Sequence, residues 1–269
     1  MNKRELATSL YHEGKLAESI EAQIQWVRDH PADVSSRMFL FELLSFDGQW
    51  DRAERQISML LTNEAEADTA ISFYIRCLWA ERKREAVWSG QAKPKVLGPL
   101  TESMQIRMDS LQKEGGLTTA EPPIRQAEML EHNSQLQAFE INGERYSKAR
   151  DGDDLLGSIL EVFAQGEYFW MDFSAIKLIS SEKPKYPRDL IWLPARVETE
   201  GESGNVFIPL LYPESSRSAS SELKLGRYTD WATIPGTDLA RGVGLKDWYF
   251  NGETVIPLIQ WRILEQTTD

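Results

Sequence analysis

Three histidines, a single cysteine and one acidic run are the side chains with which this chain could break bonds or hold metals, and their spacing argues against both. His12, His30 and His132 never fall at i, i+4 or within an H-E-x-x-H segment, the arrangements that turn two imidazoles toward one zinc ion. Cys77, the sole cysteine, excludes an internal disulfide and a thiolate cluster, and fits a reducing compartment. The run Asp-Gly-Asp-Asp at 151–154 lacks the alternating oxygen ligands and the distal Glu of a calcium loop, so helix capping accounts for it better. Neither a Gly-x-Ser-x-Gly elbow, nor a phosphate-binding loop, nor Gly-x-Gly-x-x-Gly occurs. The expectation is no catalytic residue, no metal and no cofactor.

Two polar groups nevertheless look placed: Arg188 with Asp189, and Arg227 with Asp230 and Trp231. Each can pin neighbouring strands as a charge pair. Each can equally line a partner surface or a small-molecule pocket, since charged residues flanked by aromatics at strand ends serve either use. An enzyme or small-ligand sensor with its site in a C-terminal sheet is the alternative these five residues keep open.

With 269 residues and 41% hydrophobic content, the chain can fill the cores of two ordinary domains. Lys plus Arg number 30 against 42 Asp plus Glu, and the formal charge of −12 repels nucleic-acid backbones and anionic lipid. The acid excess is spread over both halves, and it would favour a basic amphipathic partner. No stretch approaches the ~20 apolar residues that span a bilayer, and the charged N-terminus lacks a signal-peptide core, so a soluble, cytoplasmic protein is expected.

The positioning elements begin with a repeat. "YHEGKLAES" at 11–19 is echoed thirty-four residues later by "SFDGQWDRA". Leu6, Leu10, Gly14, Leu16, Ser19, Trp26 and Pro31 are matched in kind by Leu40, Leu44, Gly48, Trp50, Ala53, Leu60 and Ala65. A period of about 34 residues marks tetratricopeptide-like helix pairs, which bury their apolar faces only by stacking. The glycines allow the tight turn within each pair, Ser19 and Ala53 are small where paired helices cross, and Pro31 ends a helix expected over about 16–28. A third copy is weaker, because Arg82 stands where the turn glycine belongs; residues 67–89 read as a degenerate repeat or as one long helix. Pro99 and Gly115–Gly116 bracket a further helix, "GGLTTAEPP" at 115–123 reads as a loop, and one more helix follows. In the usual register of such stacks, Arg4, Thr8, Tyr11, Met38, Glu42, Phe46, Arg76 and Trp79 line a concave groove that would take a partner's helix or extended peptide. A scaffold that merely carries the second half is the competing use.

After about Phe139 the pattern changes to short alternating runs broken by Gly, Pro and Asn. Asn-Gly in "INGERY" and in "YFNGET" predicts two hairpins. "DGDDLLGSILEVFAQG" predicts one helix, capped by Asp153 or Asp154, with Leu155, Leu156, Ile159, Leu160 and Phe163 along it and Gly166 as its stop. "EYFWMDF", "RDLIWLPARVE", "NVFIPLLYP", "KLGRYTDW" and "VIPLIQWRILE" read as five strands, with Pro194, Pro209 and Pro257 pointing to edges or bulges. The expected class is α+β: an all-α tetratricopeptide-like domain over 1–135, then an α+β domain over 136–269 with a curved, mainly antiparallel sheet.

The tract from Asp151 to Val197 resembles the signature region of the ImpE family, also called SciE-type or TagJ, an accessory component of bacterial type VI secretion. The resemblance rests on Asp151 to Asp154, on Leu156-Gly157, on Gly166 to Trp170 and on Pro187 to Ala195, with "IPLLYP" and "LGRYTDW" further on. Where members often carry Ser-Arg-Leu-Gly-Pro, this chain has Asp154-Leu155-Leu156-Gly157-Ser158, without the arginine. The resemblance implies a non-enzymatic cytoplasmic adaptor that binds the N-terminal helix of the small sheath subunit TssB, with the disassembly ATPase ClpV as a second partner.

Overall fold

The structure, a computed structural model, describes residues 2–62, 65–112, 116–133 and 138–267. Its first pair of helices, α1 (Lys3–His12) and α2 (Leu16–Asp29), is followed by α3 (Val34–Phe46) and α4 (Trp50–Ser58). The repeat is visible in their turns, where Gly14 and Gly48 have φ of 77° and 70°. Ser19 is fully buried where α1 and α2 cross, and its hydroxyl donates to the Ala7 carbonyl at 2.8 Å; Ala53 is fully buried at the equivalent place. A larger side chain at either position would force the pair apart.

Nothing interrupts the next segment, which is one helix, α5 (Ala65–Trp88). After it Lys95–Val96 form a short strand, β1, so the expectation of helix throughout the first half is corrected: this segment pairs in parallel with Phe169 and Trp170 of the sheet. Thr101 caps α6 (Glu102–Ser110), its hydroxyl accepting the Met104 N–H. Of the expected loop at 115–123, Gly115 lies outside the described residues, Gly116–Thr119 make a short 3-10 turn, and Glu121 already opens α7 (Glu121–Asn133). Pro122 and Pro123 fit there because the first helical turn has no use for their missing N–H groups.

The second half supplies β2 (Phe139–Ile141), β3 (Glu144–Tyr146), β4 (Ala149–Asp151), β5 (Ile159–Ala164), β6 (Glu167–Asp172), β7 (Leu178–Ser181), β8 (Trp192–Glu198) and β9 (Ser203–Pro209). A short α8 (Ser221–Lys224) then precedes β10 (Thr229–Thr233), β11 (Ala240–Gly244), β12 (Asp247–Phe250), β13 (Thr254–Pro257) and β14 (Ile263–Gln266). The main sheet runs β1-β6-β5-β9-β8-β7-β14-β2-β3, antiparallel except at β1; β13-β12-β4 and β10-β11 form two smaller sheets. Both Asn-Gly turns close hairpins, at Asn142-Gly143 and Asn251-Gly252, all four with positive φ. Of "KLGRYTDW" only the last three residues are strand, since β10 starts at Thr229 and Lys224 still belongs to the helical turn α8.

The helix expected from Asp153 to Gln165 does not form. Residues 152–158 are a tight turn and Ile159–Ala164 are β5. The reason is burial on both faces: Leu160 and Val162 enter a core shared with Met171, Leu193 and Trp248, while Ile159 and Phe163 enter the core beneath the helices. A central strand with apolar residues on both sides shows no alternation, and a short apolar run of that kind reads the same as a buried helix. The helix-facing core is continuous from Leu16, Phe41 and Leu78 to Trp170, Trp192 and Tyr212, so the helical half and the sheet share one apolar interior.

The turn before β5 depends on Gly157, whose φ of 53° lies in the left-handed region and where a Cβ would sit 2.1 Å from Arg107 Nη2. Gly157→Ala should destabilise the protein by about 2 kcal/mol, seen as a lowered denaturant midpoint with an unchanged slope; an unaltered midpoint would show that this turn tolerates a side chain.

Candidate partner-binding site

Beneath the helices, α5 presents Glu81, Arg84 and Trp88 to the sheet from one side of the helix. There Glu161, with no solvent exposure, receives Arg84 Nε at 2.8 Å and Nη2 at 2.7 Å, Trp88 Nε1 at 3.3 Å, the Tyr168 hydroxyl and Lys246 Nζ. Arg84 also donates to the Leu211 carbonyl at 2.8 Å, and Glu81 accepts Trp192 Nε1 at 2.9 Å. Burial alone would raise the Glu161 carboxyl, but the charges of Arg84 and Lys246 outweigh it and hold the group well below the usual carboxylate range. Glu81, compensated less, is raised by burial.

The acidic run forms the far side of this cluster. Asp153 accepts the Leu155 N–H at 2.9 Å, the Gly242 N–H at 3.1 Å and Arg241 Nε at 2.7 Å; Asp154 accepts the Ala240 N–H at 2.7 Å and Arg150 Nη2 at 2.6 Å. These carboxylates tie the turn to β11 instead of capping a helix. From α6, Arg107 forks onto Glu131 with two bonds of 2.8 Å and reaches the Asp154 carbonyl at 2.6 Å. Leu155, standing where the resembling pattern has an arginine, is buried, and the guanidinium at this turn comes from Arg107.

The groove expected on the helical half is filled by the chain's own second half. Phe46 is fully buried, and Glu42, 4% exposed, pairs with Arg188 Nη1 at 2.5 Å; burial raises the Glu42 carboxyl despite that pairing. Tyr11 and Met38 are half-buried against the same core, and the Tyr11 carbonyl accepts Arg227 Nη2. Lys224 bridges to Asp47 at 2.6 Å beside the second repeat turn. Arg4 stays at the exposed rim, bonded to Ser35. Arg76 and Trp79 are exposed and pack on the β5–β6 turn at Gly166; Trp79 Nε1 donates to Glu54 at 3.0 Å. The expectation of a single open groove is therefore corrected for Glu42 and Phe46, because the ImpE-like tract packs on the face those residues share.

The second set of residues is not brought together either. Asp189 does not pair with Arg188: its carboxylate accepts the N–H groups of Lys185 and Tyr186 and caps the start of the short turn before β8. Arg227 turns to Glu222 and the Tyr11 carbonyl, Asp230 accepts the N–H of Trp231, and Trp231 packs edge-on against Tyr212. Sequence reading missed Arg84, Glu161, Lys246 and Arg107. The available signal was the presence of a carboxylate inside the apolar run "ILEVF".

A family model described as "ImpE protein" matches residues 143–265, which include the Asp151–Asp154 turn, Glu161 and Lys246. The chain carries an ImpE domain. It is similar to "Type VI secretion system accessory component TagJ" from Pseudomonas aeruginosa, 29% identical over 236 residues, which cover 84% of this chain and 80% of that one. It is also similar to the crystal structure of protein VPA1032 from Vibrio parahaemolyticus, with a TM-score of 0.85, 26% identity and 98% of each chain covered. The helices that pack on the ImpE domain thus recur in a solved relative along with the sheet. Among the described residues, no helix is long and apolar enough to cross a membrane.

Two outcomes follow from the cluster. Lys246→Met, which leaves Glu161 buried with one cation fewer, should lower unfolding free energy by roughly 3 kcal/mol; a loss below about 1 kcal/mol would mean Arg84 alone satisfies the carboxylate. Asp151, fully buried, is pushed up to about 7 by burial first, with Lys246 opposing. A folded value above the unfolded one near 3.9 means its contribution is full at low pH and is lost as pH rises through about 4 to 7. Asp151→Asn should therefore gain on the parent across that window in denaturant titrations; parallel curves would refute the assignment.

Proposed function

We propose that this protein is a non-enzymatic, cytoplasmic adaptor of a bacterial type VI secretion system, which binds a helical segment of the small sheath subunit TssB and brings it to the disassembly ATPase ClpV. The similarity to an accessory component of that system over most of both chains supports the setting. The observation that carries the mode of action is on α5: Phe73 and Trp79 are 46% and 45% exposed with Arg76 between them, one helical face of large side chains that the ImpE domain covers only in part. Exposed aromatics in a row are poorly accounted for by a lone soluble chain and well accounted for by helix-in-groove recognition. In this reading residues 1–135 supply the partner-facing helix, and residues 136–269 form the platform that holds it.

The test is capture of the full-length protein by an N-terminal TssB peptide. Phe73→Ala and Trp79→Ala should each weaken capture about tenfold or more, as truncation of an interface aromatic does, with thermal stability little changed. Phe46→Ala should instead lower stability by about 3–5 kcal/mol, because that ring is core. Undiminished capture by the Phe73 and Trp79 variants would contradict the proposed surface, and no capture by the parent protein would contradict the partner.

A further inference from the structure

The ImpE domain does not cover its own sheet completely. Between α5, the β5–β6 turn, the segment before β8, and strands β8 and β9 lies a cleft of about 820 Å³. Its floor follows from strand alternation: Leu193, Ala195 and Val197 point into the sheet core, so Pro194 and Arg196 point out, and Pro194 stands opposite Phe207. Helix α5 covers Trp192 on this face but ends its cover at Phe73, whose ring lies 6.4 Å from that of Phe207. Across the cleft Tyr186 is 53% exposed, with the Arg188 guanidinium 4.1 Å from its ring. The result is an apolar trough between two aromatic walls, left open to solvent.

The charges around it run against those of the molecule. Arg76, Lys183, Lys185 and Arg196 line the cleft, and the carboxylates among its walls are Glu182 and Asp189. Asp189 is engaged by two backbone N–H groups, Glu182 bridges to Lys185, and Arg196 bonds Glu198 and the Ser203 hydroxyl. Among the described residues Arg76 and Lys183 have no ion-pair partner. A chain with a net charge of −12 thus opens its apolar trough beneath unneutralised cations. Beyond about 10 Å at 0.1 M salt the general acidity is screened, so at contact distance the local cations decide the sign of the partner.

We infer that this cleft seats an acidic amphipathic helix, its apolar side over Phe73, Tyr186, Pro194 and Phe207 and its carboxylates against Arg76 and Lys183. The inference deepens the adaptor reading and rests on it, and it reverses the basic partner expected from net charge alone.

Two synthetic amphipathic peptides with the same Leu/Trp face, one carrying Glu and one carrying Lys on the polar side, are titrated into the full-length protein by fluorescence anisotropy. The Glu peptide should bind at least tenfold tighter than the Lys peptide. Arg76→Glu combined with Lys183→Glu, both exposed and unpaired, should weaken the Glu peptide tenfold or more and leave the circular dichroism unchanged. Phe73→Ala should weaken both peptides. Equal or tighter binding of the Lys peptide, or indifference of the Glu peptide to the double substitution, overturns the inference. The same double variant is then offered the TssB peptide: capture undiminished overturns the cleft assignment and leaves the adaptor reading standing. Absence of TssB capture by the parent, with the Glu preference intact, overturns the adaptor reading alone.

Discussion

One carboxylate with no access to water, Glu161, holds the two halves of this molecule in register. An ionised group at such depth is tolerated only with opposite charge and donated hydrogen bonds around it. Those come from three directions: Arg84 and Trp88 on α5, Tyr168 on β6, and Lys246 just ahead of β12. If α5 were displaced, a buried charge would lose its partners, so the helical half cannot slide over the sheet by small steps. The apolar core that surrounds the cluster supplies adhesion, and the cluster supplies position.

Much else follows from that fixed placement. With α5 locked, α3 brings Glu42 to Arg188, α1 brings the Tyr11 carbonyl to Arg227, and the concave side of the helix pairs becomes an intramolecular interface. The outer face of α5 and the trough where it stops covering the sheet stay open to solvent. The aromatic residues Phe73, Trp79 and Tyr186 are exposed because they lie just past the edge of the packed region.

The helix pairs were legible because their period is written in residues with local jobs: the turn glycines at Gly14 and Gly48, and the small Ser19 and Ala53 at the crossings. The Asn-Gly hairpins were legible for the same reason, a backbone need met by a particular residue. Strand β5 was not, since a strand buried on both faces loses the alternation by which strands are recognised. The groove was misread in part because helical register says which side of α3 is apolar and not what covers it. Glu42 and Arg76 occupy equivalent positions by register, yet one is buried against the ImpE domain and the other is exposed at its edge. Arg84, Glu161 and Lys246 are 77 and 85 residues apart in their pairings, and no local pattern joins them.

The most direct test of this account is amide hydrogen exchange on the full-length protein with and without the TssB peptide. Protection on binding is predicted within residues 73–79 of α5 and along 183–196, with residues 38–46 of α3 already slow to exchange in the free protein and unchanged. Protection confined to α1 and α3, with fast exchange across 38–46 before the peptide is added, would show instead that the concave face opens to take the partner, and would contradict the placement argued from Glu161.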